Sequence, residues 1–333
     1  MNVRSNPVAS AWWSATAALL SAVAGCGGGG AAPAPPATPS ALFVVDSRTA
    51  AVAGFSSLAP PAGSTASGHD LATLANVDGP VAYDSVHDLL YVATTPPETS
   101  TDNSAQIRVF AHASTLAAGA TPTRSISLEN SRGVEGMTVD GASDTLWVLQ
   151  RDFFFTSVDD AIIRRVGSAS TATTSLDFVM TLGHWAESAT YDSMRDVVYA
   201  SDGSGIRVLS QASASKYWSV APTQEFGGGI DGVALASDSS RDIVYVADGV
   251  GSGIGLMLNA STAAPAFIGL VLLPAPPISV SVDSANDRLY VSAGGNVYVF
   301  DRASQLTPQS PVPTPTIVGT ATDRFWFSGA TIR

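Results

Sequence analysis

The sequence predicts an all-β fold, a six-bladed β-propeller of four-stranded antiparallel blades, and three observations predict it. One pattern recurs five times: Asp, three residues, Asp, two residues, then an aromatic within an aliphatic run. The copies are Asp84/Asp88/Tyr91, Asp140/Asp144/Trp147, Asp192/Asp196/Tyr199, Asp238/Asp242/Tyr245 and Asp283/Asp287/Tyr290. The aromatic positions, counted from Phe43, are 48, 56, 52, 46 and 45 residues apart, close to the period of propeller blades. Residues 328–333 align with residues 187–192, the first strand of a blade, while residues 42–77 have no such strand before Phe43. The C-terminal segment is therefore expected to supply the innermost strand of the N-terminal blade. Closure of that kind leaves no open edge between the first and last blades.

Each copy reads as a hairpin followed by two further strands. A short strand precedes the first aspartate, as at residues 134–139 and 279–282. The Asp-x-x-x-Asp stretch is a tight turn whose carboxylates accept backbone N–H groups. A residue repeated identically in every blade does the same structural job in each, so these aspartates are expected to hold turns and not to bind metal. The second strand, such as Leu89-Leu90-Tyr91-Val92, is apolar enough to be buried on both faces. Third strands follow at residues 107–110, 162–166, 206–209 and 297–300, and a more polar fourth strand completes the unit. Extra length falls in loops after the second strand, at residues 94–105, 151–161 and 249–253, which all emerge on one face of the disc.

The chain divides into residues 1–25, 26–40 and 41–333. The first part carries Arg4 and then an apolar run over residues 11–25 that is too short, and too rich in Ala and Ser, for a membrane span. It ends in Val23-Ala24-Gly25-Cys26, which resembles the lipobox of bacterial lipoproteins. That resemblance implies cleavage before Cys26, acylation of its thiol and anchoring by lipid. Residues 27–40 contain only Gly, Ala, Pro, Thr and Ser, the composition of a tether. Gly27 stands where family members retained at the inner membrane carry Asp, so the resemblance implies an outer-membrane anchor, on the periplasmic or cell-surface side.

Without residues 1–25 the chain has 15 basic and 28 acidic side chains, a formal charge of −13, and its one lysine is Lys216. Such a balance argues against nucleic acid or an anionic lipid surface as the main partner. Cys26 is the sole cysteine, so no internal disulfide forms. No Gly-x-Ser-x-Gly elbow and no dinucleotide fingerprint is present.

Candidate chemistry lies where first strands open onto the channel. Glu135, Glu187 and Asp231 stand at three such openings, and acids converging there need a cation, a proton or water between them. Three oxygen ligands of this kind would suit Ca²⁺ or Mg²⁺. His184 is the histidine expected near the mouth, with Trp185 beside it; His69, His87 and His112 are expected in solvated loops or turns. Arg151-Asp152-Phe153-Phe154-Phe155 places three aromatics beside charges in a loop, a composition found at interaction hot spots. The competing readings are packing of the phenylalanines on a neighbouring blade, and water-bridged acids without a further role.

Glu135-Gly136 and Asp231-Gly232 resemble the blade openings of gluconolactonase-like, senescence-marker propellers, and the wider repeat resembles NHL-type and surface-layer YVTN-type propellers. In the first of these groups a Glu, an Asn and an Asp hold a divalent metal that polarises a lactone or phosphoester. The resemblance implies that role for Glu135 and Asp231. No Asn-Gly matches, and Glu187 substitutes only loosely. Two functions follow as expectations: an anchored module that binds a protein, glycan or small molecule, or a metal-dependent hydrolase.

Overall fold

The computed structural model describes residues 42–46, 51–55, 69–74, 77, 79–95, 104–128, 131–152, 161–174, 178–181, 186–203, 205–215, 224–226, 230–318 and 325–329. Cys26 and the tether lie outside these residues. Among the described residues, twenty-four strands group in fours, numbered here as blades 1 to 6. Blade 1 holds β1 (Leu42–Asp46), β2 (Ala51–Phe55), β3 (His69–Thr73) and β24 (Phe325–Gly329). Blade 2 holds β4 (Val81–Asp84), β5 (Leu89–Thr94), β6 (Gln106–Ala111) and β7 (Arg124–Ser127). Blade 3 holds β8 (Ser131–Asp140), β9 (Thr145–Asp152), β10 (Ala161–Gly167) and β11 (Phe178–Thr181). Blade 4 holds β12 (Ser188–Asp192), β13 (Val197–Ser201), β14 (Ile206–Ser210) and β15 (Gln224–Phe226). Blade 5 holds β16 (Gly232–Asp238), β17 (Ile243–Asp248), β18 (Gly253–Leu258) and β19 (Ala266–Leu272). Blade 6 holds β20 (Pro277–Asp283), β21 (Arg288–Ala293), β22 (Asn296–Asp301) and β23 (Ile317–Val318).

Hydrogen bonding links these strands into five sheets, where six are expected. Four sheets have four strands each, and one has eight, in the order β3-β2-β1-β24-β4-β5-β6-β7. The difference arises at a single seam. β24 pairs antiparallel with β1 and also touches β4 in parallel, through only Ser328↔Val81 and Gly329↔Ala82. The C-terminal strand thus closes the N-terminal blade, with a corrected span. It runs over Phe325–Gly329 and pairs Val45 with Trp326, several residues before the expected start at 328. The aromatic run Phe325-Trp326-Phe327 has the higher strand propensity, and residues 330–333 lie outside the description. First strands contact one another in a closed cycle, β24-β4-β8-β12-β16-β20-β24.

The core sits between blades. Each of five buried clusters joins two consecutive blades, such as Tyr91 and Ile107 with Val134 and Val148, or Tyr245 and Leu256 with Val280 and Leu289. The second-strand aromatics Phe43, Tyr91, Trp147, Tyr199, Tyr245 and Tyr290 are all buried. In blades 2 to 6 their aliphatic neighbours are buried on both faces of the strand, as expected of a sheet covered on both sides.

The repeated aspartates divide two tasks. The first, at Asp84, Asp140, Asp192, Asp238 and Asp283, accepts backbone N–H groups of its own turn, as from Val86 at 2.8 Å, Met194 at 3.0 Å and Ser240 at 3.0 Å. The second has a left-handed backbone in every copy, with φ of 55°, 50°, 56°, 57° and 53° at Asp88, Asp144, Asp196, Asp242 and Asp287. Each of these carboxylates receives both the backbone N–H and the hydroxyl of one serine beyond the third strand: Ser114, Ser170, Ser213, Ser261 and Ser304, all at 2.7–3.0 Å. The preceding alanine donates its N–H to the carbonyl of the same aspartate, as in Ala212 to Asp196 at 3.0 Å. One residue therefore clasps the hairpin between the first two strands to the turn between the last two.

Magnitudes explain why aspartate and not glycine holds this position. A left-handed backbone costs an L-residue roughly 1–2 kcal/mol, while hydrogen bonds to a charged group contribute about 1.5–3 kcal/mol. Asp196→Gly relieves the backbone and loses the clasp, so urea unfolding should show a net loss of about 1–3 kcal/mol; an unchanged or raised stability would remove the clasp from the account. A chain ending at residue 324 should lose its cooperative thermal transition in circular dichroism, because β1 and β20 are then left without β24.

Candidate functional site

Turns between first and second strands lie on one face of the disc, and loops between second and third strands on the other. The loop face carries the acids singled out from the sequence. Glu135 sits in β8 between Val134, opposite Gln150, and Gly136, opposite Leu149. It is the extra residue of a β-bulge, the device that re-aims a side chain at a strand end. Register shifts at the same distance from the first aspartate make Val233 and Ile278 the extra residues of β16 and β20. Glu187 holds that position in blade 4, just before β12, and its N–H donates to the Ser201 carbonyl at 3.0 Å.

Asp231 stands apart. It precedes its blade's first aspartate by seven residues, where Glu135 and Glu187 precede theirs by five. The two short motifs Glu135-Gly136 and Asp231-Gly232 thus look alike but are out of step by two residues. The Asp231 carbonyl accepts N–H groups from Val233 at 3.0 Å and Gly249 at 2.9 Å, pinning the blade 5 loop. Among the described residues, the group of three acidic or histidine ligand atoms lying within 4.8 Å of one another is Asp84, His87 and Asp144. Glu135, Glu187 and Asp231 are not drawn into such a group.

The glycines of these openings have a packing reason. A Cβ at Gly136 would lie 2.8 Å from the Ala189 nitrogen, and one at Gly232 would lie 2.9 Å from the Ser201 Cβ. Each glycine lets its first strand approach the neighbouring blade, independently of any ligand.

The first strands enclose a cavity of ≈ 430 Å³. Glu135, Met137 and Val233 line it toward the loop face, and Ser193, Met194, Ser240 and Ala285 line it at the turn face. Hydroxyls also tie adjacent walls, with Thr190 3.0 Å from Ser237 and the Leu235 N–H donating to Ser188 at 2.9 Å. Arg151 and Asp152, expected in a loop, end strand β9 instead, where Arg151 pairs with Ala161 and Asp152 with Ser131. Phe153, Phe154, Phe155, His184 and Trp185 lie outside the described residues.

The turn face holds a feature that the sequence reading missed. The residue just before the second aspartate reaches back to the first. Arg195 Nη1 lies 3.0 Å from Asp192 and its Nε 3.5 Å from Asp242 of the next blade. Arg241 Nη1 lies 2.6 Å from Asp238 and donates at 2.8 Å to the Ser284 carbonyl across the junction. His87, expected to be merely solvated, places Nδ1 2.7 Å from Asp84 Oδ2. The hydrogen bond to Asp84 raises its pKa above the usual histidine value; partial burial opposes this, and the charges of Asp84 and Asp144 add to it. The sequence signal was the fixed place of His87, Ser143, Arg195, Arg241 and Asn286 in the repeat.

Burial alone would raise the pKa of Asp238. Hydrogen bonds from Ser240 and Arg241, with the Arg241 charge, outweigh it and hold the carboxyl below its ordinary value. A depressed folded pKa gives stability that is present above the unfolded value and lost as pH falls through the folded one. Asp238→Asn should therefore cost about 1.5–3 kcal/mol at neutral pH. In urea titrations that gap should close as pH falls below the reference value of 3.8; a gap independent of pH would show that the charge is irrelevant.

No protein-family model matches the chain, and no curated protein matches it. Solved structures do resemble its fold. A chain of the nidogen/laminin complex aligns with a TM-score of 0.60 and 13% identity, over 86% of this chain and 97% of that one. The periplasmic gluconolactonase of Pseudomonas aeruginosa aligns with a TM-score of 0.52 and 11% identity, over 87% and 99%. At such identities the likeness is one of fold.

Proposed function

We propose that the chain is a membrane-anchored extracytoplasmic propeller acting as a ligand- or protein-binding module, with its channel taking a neutral or cationic small molecule. The observation that carries this reading is the lining of the ≈ 430 Å³ cavity: among the described residues that line it, Glu135 and Asp283 are the charged ones, with neither lysine nor arginine. Its size lies in the range of small-molecule sites. Hydroxyls of Thr138, Ser193 and Ser239 alternate there with Met137, Val233 and Val280. Carboxylates in a narrow, low-dielectric channel repel anions. The lipobox-like end at Cys26 and the tether behind it support anchoring at the outer membrane. The likeness to a propeller from a protein complex supports a disc that also meets a partner protein.

A second reading, a Ca²⁺- or Mg²⁺-dependent hydrolase, is favoured by the place of Glu135 in the cavity wall and by the shared fold with a gluconolactonase. It requires Glu135, Glu187 and Asp231 to close to ion-coordination distances of about 2.3–2.6 Å. A neutral lactone suits this lining; a phosphoester anion does not.

Both readings meet in one experiment on the full chain in detergent. Melting temperatures are recorded with glucono-δ-lactone, a neutral oligosaccharide, spermidine and glucose 6-phosphate. A ligand of the folded state raises the melting temperature with concentration. A rise with a neutral or cationic compound, lost in Ala285→Trp at the exposed channel mouth, is the expected result. A rise with the anion alone, or with none of the four, would discard the channel as proposed. Calcium-dependent lactone consumption lost in Glu135→Gln would make the protein a hydrolase.

A further inference from the structure

The junctions among blades 2 to 6, which carry the aspartate pairs, face a problem of charge. On the turn face, the first aspartate of one blade stands near the second aspartate of the next. At blades 4 and 5 a guanidinium settles it: Arg195 bonds to both Asp192 and Asp242. At blades 5 and 6 Arg241 does so from Asp238, with Asp287 acting on its charge. At blades 2 and 3 the corresponding side chain is His87, whose imidazole is a much weaker base than a guanidinium. The adjacent guanidinium, Arg124, donates to the carbonyls of Ala169 and Ala172.

Two further observations distinguish this junction. One ligand atom each from Asp84, His87 and Asp144 lies within 4.8 Å of the others. Space is also kept open above Asp84. The residue after the first aspartate is Ser85, Ser193, Ser239 and Ser284 in four repeats and Gly141 in blade 3. A Cβ on Gly141 would lie 2.4 Å from Asp84 Oδ1, so the glycine stands where any side chain would crowd that carboxylate.

We propose that Asp84, His87 and Asp144 form a binding site for a divalent transition metal, Zn²⁺ being the suited ion, clasping blades 2 and 3 as arginine clasps blades 4 and 5 and blades 5 and 6. One imidazole nitrogen with two carboxylate oxygens suits Zn²⁺ better than Ca²⁺ or Mg²⁺, which favour all-oxygen sites. The metal takes the imidazole lone pair, so any proton on the ring leaves to solvent. This site lies on the turn face and is independent of the acids at the loop face.

The test uses the full chain in detergent, stripped with a chelator and titrated with ZnCl₂ or CaCl₂ by calorimetry and by thermal melting. Wild type should bind one Zn²⁺ at this site and melt at higher temperature as Zn²⁺ rises, with no such response to Ca²⁺. His87→Ala should lower Zn²⁺ affinity by about 100-fold or more, the upper end of what loss of an outer-shell partner costs. His87→Arg should abolish the Zn²⁺ response and melt without metal at or above the metal-free wild type, because the guanidinium fills the cation's place. That variant also keeps the test valid if His87→Ala fails to fold. Cys26 is common to all three chains. A wild-type melt indifferent to Zn²⁺, or a Zn²⁺ response unchanged in His87→Arg, would overturn the site.

Discussion

The fold depends on a clasp made by one carboxylate in each repeat. Asp88, Asp144, Asp196, Asp242 and Asp287 adopt a left-handed backbone, and each is met by the N–H and hydroxyl of a serine from the far turn of its blade. A second left-handed residue precedes each alanine-serine pair, at His112, Ser168, Gln211, Asn259 and Arg302, with φ between 50° and 56°. Two unfavourable backbone conformations per blade are thus held by a set of charge-assisted hydrogen bonds. With both turns fixed to one carboxylate, the second and third strands cannot slip in register. A slip of one residue would turn each buried aromatic to the opposite face.

Fixed blades then meet through a complementary set of rings. Phe43 of blade 1 packs on Tyr83 of blade 2 with centroids 5.2 Å apart, and Trp147 of blade 3 on Tyr191 of blade 4 at 4.6 Å. Where the earlier blade instead contributes Tyr91, Tyr199 or Tyr245, the residue at the place of Tyr83 and Tyr191 in the later blade's first strand is Val139, Ser237 or Val282. A phenol enters each of these junctions from one side only. Tyr83 and Tyr191 donate to Asp88 and Asp196 at 3.2 and 3.0 Å. Tyr91, Tyr199 and Tyr245 have no hydrogen-bond partner, and burial pushes their pKa values well up.

Much of this was legible in the sequence, because it repeats. The invariant Asp-x-x-x-Asp spacing marked the hairpins, and third strands at residues 107–110 and 206–209 fall within β6 and β14. The clasp itself was not read, although Ala-Ser follows the third strand in all five copies. Its meaning rests on a contact 17 to 26 residues distant, which strand periodicity does not encode. The acids were harder. Glu135 and Asp231 look equivalent as dipeptides, yet a bulge and a two-residue offset separate them. His87 looked solvated because a turn residue gives no sign that its ring folds back on a buried carboxylate. The eight-stranded sheet was not foreseen either, since it depends on two residue pairs at the closing seam.

The two faces of the disc therefore use their acidity differently. Turn-face carboxylates are committed to backbone N–H groups, serines, arginines and one histidine. Their excess charge is absorbed locally, and the propeller can carry a formal charge of −13 without its blades repelling one another at the hub. On the loop face, acids stand at first-strand openings, one on a bulge, one at the equivalent place and one two residues earlier. A bulge disrupts the local ladder and re-aims its side chain, so Glu135 can face the cavity while the strand still pairs on both sides of it. Repetition built the turn face, because every blade needs the same clasp. Departure from the repeat built the loop face, and the same holds at the junction of blades 2 and 3, where histidine and glycine replace the residues used elsewhere. Specific binding chemistry in this molecule should be sought where the repeat is broken, since one changed neighbour, such as His87 or Gly141, alters what the shared carboxylates beside it can hold.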